Sequence, residues 1–203
     1  MGRFNISKGE RFKIAKSEGL SKIKVVLDWN PDPDADLDAS AFLCGDEGVI
    51  LDDAGFVFYN SENREQPFDR AVYGNKRRWM AETRPMSGDG AVLGSIDDRN
   101  GASGEIIDVD LDKVDPHISE IVFVASVHDE DKTFGDVKDA FISVVNAETN
   151  EELCRYELNE AFTKETALAV AKLIVNEDGD WEIEAIGTGH VGGIETLIDI
   201  YAS

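Results

Sequence analysis

The sequence is short of the residues that carry most metal and covalent chemistry. Of 203 residues only two are cysteine and three are histidine. Cys44 and Cys154 lie far apart, with no CxxC pair and no histidine at ligand spacing, which argues against a zinc site. No apolar run approaches the ~20 residues of a membrane span. The first residues, Met1-Gly2-Arg3-Phe4-Asn5, lack the apolar core of a signal peptide. The chain therefore reads as cytoplasmic, with reduced thiols and no direct membrane insertion. Nucleophile-elbow, P-loop and HExxH motifs are all missing. His117, His128 and His190 are scattered, and His128 stands beside Asp129 at a predicted strand end. A hydrolase triad that meets only in space is the minor alternative to a non-enzyme. Basic residues are also scarce: Lys and Arg total 20 against 42 Asp and Glu, a net charge of −22. Such a field repels nucleic acid and anionic membrane surfaces and attracts cations.

What is present is enough for one core. The 42% hydrophobic content over 203 residues suits a single domain spanning 1–203. Ile23 to Leu27 and Phe56-Val57-Phe58-Tyr59 are predicted strands. In Ile106, Ile107, Val109 and Leu111, interrupted by Asp108 and Asp110, one face is dry and one wet. Ile121 to Val127 is apolar on both parities, which predicts a central strand covered on both sides. Phe141 to Val145 and Leu153 to Leu158 flank a turn at 146–150. Thr166 to Val175 has alanines and leucines that suit a helix, but it is apolar on both parities with a β-branched end, and the turn at 176–180 into Trp181–Ile186 favours a hairpin. Ile194, Leu197, Ile198 and Tyr201 have helical spacing. Strands joined by short turns, with few helices, predict a mainly β fold: a two-sheet sandwich with a short helix near the C-terminus.

Ser61 to Pro85 breaks the rhythm. It is long, polar and aperiodic. Residues 63–84 hold six basic and three acidic side chains, a local +3 in an acidic chain. It reads as a basic insertion at about 62–86, either a flexible surface loop or a docking element presenting Arg77, Arg78 and Trp79 to an acidic partner or a second copy.

The acidic stretch from Trp29 to Ser40 carries Asp32, Asp34, Asp36 and Asp38 at alternate positions. If extended, all four project to one side, and carboxylates that close repel one another. A divalent cation relieves that repulsion, and calcium accepts six to eight oxygens from loops. An EF-hand does not fit, because Leu37 and Leu43 would occupy its Gly and Glu positions. A cation site and a solvated acidic turn both remain open on this stretch alone. Asp97-Asp98, Asp129-Glu130-Asp131 and Glu177 to Asp180 read as acidic turns, the last two as hairpin tips.

Several of these segments resemble the TerD family of tellurium-resistance and stress-response proteins. Asp36-Leu37-Asp38-Ala39-Ser40-Ala41-Phe42-Leu43 is similar to its DLDASAFLL signature and Phe56 to Asn60 to its FVFYN strand. Ser87 to Val92 resembles its SPDGSV turn, and Glu105 to Leu111 its E-x-I-x-V-D-L strand. Further matches at 121–124, 134–137, 165–168 and 185–189 keep the family order. The resemblance implies a calcium-binding β-sandwich without catalytic activity. It implies stress-response partners at the inner face of the membrane, and leaves a homo-oligomer or an assembly component stabilised by calcium as alternatives. It places the calcium donors at Asp36, Asp38, Asn60, Asp97, Asp98 and Glu105. Five positions depart from the family pattern, Asp98 among them, where the family has Asn. Asn30 replaces an acid after Trp29, Ile96 replaces the Gly before Asp97, and Ser103-Gly104 replace two acids before Glu105. Asp32 and Asp34 stand where they can restore the missing charge. Whether one or two ions bind is left open.

Overall fold

The computed structural model describes residues 4–14, 19–30, 36–96, 104–129, 131–158 and 162–203. Twelve strands form two six-stranded sheets. In chain order they are β1 (Phe4–Asn5), β2 (Arg11–Ile14), β3 (Lys22–Asn30), β4 (Leu37–Cys44), β5 (Phe56–Val57), β6 (Val92–Leu93), β7 (Glu105–Asp110), β8 (Glu120–Val127), β9 (Lys138–Asn146), β10 (Glu152–Glu157), β11 (Ala167–Val175) and β12 (Trp181–His190). The first sheet runs β1-β10-β9-β3-β7-β6 and the second β2-β12-β11-β8-β4-β5. Three helices complete it: α1 (Arg70–Tyr73), α2 (Lys76–Glu82) and α3 (Gly193–Tyr201).

The predicted sandwich is the observed one, and its patterning has a visible cause. Ile121, Phe123 and Ala125 of β8 face the core between the sheets. Val122 and Val124 face the other way, into a second apolar cluster with Phe42, Phe56 and Leu197 of α3. β8 is apolar on both parities because α3 covers the outer face of its sheet. β7 has no such cover: Ile107, Val109 and Leu111 are buried while Ile106 is exposed. Burying each such aliphatic or aromatic side chain contributes about 1.5–3 kcal/mol. The turn at 176–180 forms as expected, with Asn176 Oδ1 accepting from the Asp178 and Asp180 backbone N–H groups and Gly179 at φ 81°. The minor strands β1, β2 and β6 are too short to leave a period in the sequence.

Two expectations are corrected. The predicted strand Phe56–Tyr59 stops at Val57. The Ser61 hydroxyl accepts the Phe58 N–H and donates to the Phe56 carbonyl, which curls the chain out of the sheet. The stretch 61–85, expected without regular structure, folds into α1 and α2. Asp69 caps α1 through the Ala71 N–H and Asn75 caps α2 through the Arg78 N–H. Trp79, expected on the surface with Arg77 and Arg78, is only 4% exposed. Its indole donates to the Gln66 carbonyl and its ring packs edge-on against Phe68. Arg77 and Arg78 are exposed, and Arg78 pairs with Glu82 one helical turn on.

Candidate metal site at one end of the sandwich

Strand register gathers the singled-out acids at one end of the molecule. Leu27 of β3 pairs with Glu105 of β7, and Asn30 with Lys138 of β9. Leu37 of β4 pairs with Val127 of β8, and Ala167 of β11 with both Ser126 and His190. The chain changes sheet at this end from β1 to β2, β3 to β4, β8 to β9 and β10 to β11. Such crossings leave loops, not ladders, at the tip.

On β4, even-numbered residues share the outer face with Phe42, and Leu37, Ala41 and Leu43 point into the core. Asp38 therefore lies on the outer face, with its side chain 16% exposed and Oδ2 3.2 Å from His128 Nδ1. The His128 backbone N–H donates to the Asp36 carbonyl at 2.9 Å, and the Asp36 N–H donates to the Asp129 carboxylate. Asp129 Oδ2 is sealed from solvent and faces the Lys132 ammonium at 3.0 Å. That ammonium, opposed by burial and aided by the Asp36 N–H, holds the Asp129 pKa below the usual carboxylate range. The His128 ring also meets Tyr59 edge-on, centroids 6.1 Å apart, which brings in the exposed turn carrying Asn60.

The remaining predicted donors fall as follows. Asn30 Nδ2 donates to Asp139 Oδ2 at 3.3 Å. Glu105 shares the core-facing parity of Ile107 and Val109, across the sandwich from Asp38. Asp32, Asp34, Asp97 and Asp98 lie outside the described residues. A Cβ at Gly104 would collide with the Leu27 carbonyl, so this backbone has no room for a carboxylate there. Among the described residues no three Asp, Glu, His or Cys side chains converge closely enough to hold a metal. The donor chemistry, all carboxylate, amide and carbonyl oxygen, fits a hard cation such as calcium.

Asp129 is the residue that sequence reasoning missed. Asp129-Glu130-Asp131 was expected as a hairpin tip, but β8 and β9 belong to different sheets. The segment is a crossover beside Asp36. The available signal was the charge of His128-Asp129 next to a strand buried on both faces. That His–Asp pair does not extend to a nucleophile: Ser126, opposite Asp38 in the register, is 6% exposed, and among the described residues no hydrogen bond joins it to His128. His117 sits at the other end, with Asp115. Among the described residues no helix is long and apolar enough to cross a membrane.

Comparison with known proteins bears on the family and the fold. The chain is 34% identical over 209 residues to general stress protein 16U of Bacillus subtilis, covering 97% of this chain and 96% of that protein. It is 30% identical over 208 residues, with the same coverage, to the tellurium resistance protein TerD of Serratia marcescens. The crystal structure of a TerD homologue from Streptomyces coelicolor superposes with a TM-score of 0.63 at 21% identity, covering 90% of this chain and 96% of that one. At that identity the likeness speaks for the fold. The TerD domain profile matches residues 2–201, and the chain belongs to the TerD family of tellurium-resistance and stress-response proteins.

Proposed function

We propose that the chain is a calcium-binding, non-enzymatic module of a stress-response system. Calcium is held at the crossover end of the sandwich, and partner proteins are held on its surface. The observation that carries this reading is the grouping of Asp36, Asp38 and Asp129 at one sandwich end, with Asp129 Oδ2 cut off from water. Lys132 faces that oxygen at 3.0 Å and balances the charge of Asp129. Asp32 and Asp34 precede Asp36 in the chain, and with Asp97 and Asp98 they are the further oxygen donors this reading calls on. When bound, calcium would neutralise the cluster and tie β3, β4 and β8 together through their ends. The named resistance and stress roles of the relatives support placing the module in such a response. Its partners would be other proteins of that response, at the inner membrane face or as further copies of this chain. The exposed Arg70 and Arg77 are the cations available for docking to an acidic surface.

The test is calorimetric titration with calcium, alongside thermal melting in chelator and in millimolar calcium. A ligand at ~100 times its Kd adds about 2.7 kcal/mol to the native state. At about 2–4 °C per kcal/mol for a domain of this size, that is a shift of roughly 5–11 °C. Magnesium, which demands a tight octahedron, should reproduce little of it. Superimposable melts with no heat of binding refute the reading, and equal shifts with magnesium reduce it to a diffuse acidic surface.

A further inference from the structure

Arg64 is 5% exposed and none of its hydrogen bonds goes to a carboxylate. Its five donors meet five oxygens. Nε donates to Thr83 Oγ1 at 2.9 Å and shares the Thr83 carbonyl at 3.2 Å with Nη2. Nη2 also donates to the Met80 carbonyl at 2.7 Å. Nη1 donates to the Tyr59 and Ser61 carbonyls, both at 3.0 Å. The guanidinium lies 5.9 Å from the centroid of the Trp79 ring. Burial pulls its pKa down, as expected for a cation taken out of water.

Those oxygens belong to two places. Met80 and Thr83 lie at the C-terminal end of α2, where carbonyls have no helical partner. The Thr83 hydroxyl caps another of them, the Trp79 carbonyl, at 2.7 Å. Tyr59 and Ser61 flank Asn60. One rigid fork thus spans the helix end and the turn that presents a candidate calcium donor. It takes one hydrogen bond to each of the carbonyls beside Asn60. Tyr59 is the residue that touches His128, and His128 touches Asp38. The contacts run unbroken from α2 to the acidic end.

We infer that Arg64 is the positioning residue that couples the α1–α2 unit to the calcium site, so that calcium binding and the order of α2 strengthen each other. The inference rests on the calcium reading above. Its physical basis is reciprocity: calcium that fixes the Asn60 turn fixes the two carbonyls Arg64 needs, and an ordered α2 returns the effect by the same factor. A partner that docks on the exposed Arg70 and Arg77 of these helices would then sense calcium without touching it.

Hydrogen exchange of the full chain with and without calcium, paired with calorimetry, tests this in the wild type and in Arg64→Lys. Lysine keeps the charge and loses the fork, so any effect is one of geometry. In the wild type, calcium should slow exchange across 76–82 by at least about fivefold. In Arg64→Lys, calcium should bind at least about fivefold more weakly and leave exchange across 76–82 unchanged. Thr83→Val, which deletes one of the five acceptors and leaves the arginine, should lose part of the coupling and guards against a lysine variant that fails to fold. A merely structural arginine would raise exchange in α2 equally with and without calcium. That result, or an unaltered calcium affinity in Arg64→Lys, overturns the inference. A wild type that binds calcium with no change in α2 overturns the inference alone. A wild type that binds no calcium overturns the calcium reading and the inference together.

Discussion

Replacing Asp38 by Asn and, separately, Asp110 by Asn distinguishes a specific site from a collective acidic field. The two carboxylates are equally sheltered, with side chains 16% and 19% exposed, so burial does not tell them apart. Position does. Asp110 ends β7, five residues beyond Glu105, and at ~3.4 Å per residue it lies about 17 Å from the crossover end. There it pairs with Lys113 and accepts the Asp112 N–H. A single charge and a divalent ion at about 17 Å in water attract by roughly 0.5 kcal/mol, and screening at physiological ionic strength cuts this below ~0.1 kcal/mol. Asp110→Asn should leave the calcium Kd unchanged within error. Asp38 as a ligand would sit at ~2.4 Å from the ion, and losing that charge should weaken binding at least tenfold, about 1.4 kcal/mol. The apo fold should survive, because an amide of the same size still meets His128. Calorimetric titration of both variants reads the difference, with apo melts as the control. Equal losses would mean that −22 of net charge acts as a whole, and the site at Asp38 would have to be given up.

Two predictions concern the apo protein. Glu165 accepts the Thr163 and Lys164 backbone N–H groups at 2.8 and 3.0 Å, and these hold its pKa below the ordinary value, the Lys164 N–H first. A carboxylate depressed on folding stabilises above its unfolded pKa and loses that contribution as pH falls through the folded value; Glu165→Gln should therefore be less stable than wild type at neutral pH and converge with it in acid, and a urea-melt difference constant with pH would refute this. Cys44 and Cys154 are buried and their thiols are pushed up to about 12 by burial, so the folded protein should resist alkylation at pH 8 until denaturant is added, and rapid labelling of the native chain would contradict the packing.

The parts of the fold that were legible in the sequence are those whose cause is local. β8 announces itself because α3 on one side and the opposing sheet on the other both demand apolar residues. The turn at 176–180 announces itself because Asn176 and Gly179 do the turning. α1 and α2 do not. A four-residue and a seven-residue helix are too short to be stable or periodic by themselves. α2 is held by Arg64 and Trp79, a cation and an indole that a hydropathy pattern assigns to the surface, and α1 packs on α2. Their order is tertiary, and a one-dimensional reading sees only a polar gap with excess positive charge.

The candidate site divides in the same way. Asp36 and Asp38 stand out in the sequence because they close a run of four alternating aspartates that begins beside two prolines, although Asp38 itself lies in β4. Asp129 was not, because an acid after a strand has the same local look in a hairpin tip and in a crossover. The difference is which sheet the next strand joins, and register alone reveals it. The consequence is mechanical. A hairpin tip moves with one sheet, whereas the crossovers at 31–36 and 128–137 each join the two sheets. A cation bound between them, as proposed, would restrain one sheet against the other, and its affinity would then measure how well the sandwich is closed at that end. The Arg64 fork carries the same restraint sideways into α2. On the proposed reading, calcium would act through the rigidity of the crossover end and would reach partners through the exposed Arg70 and Arg77 of α1 and α2.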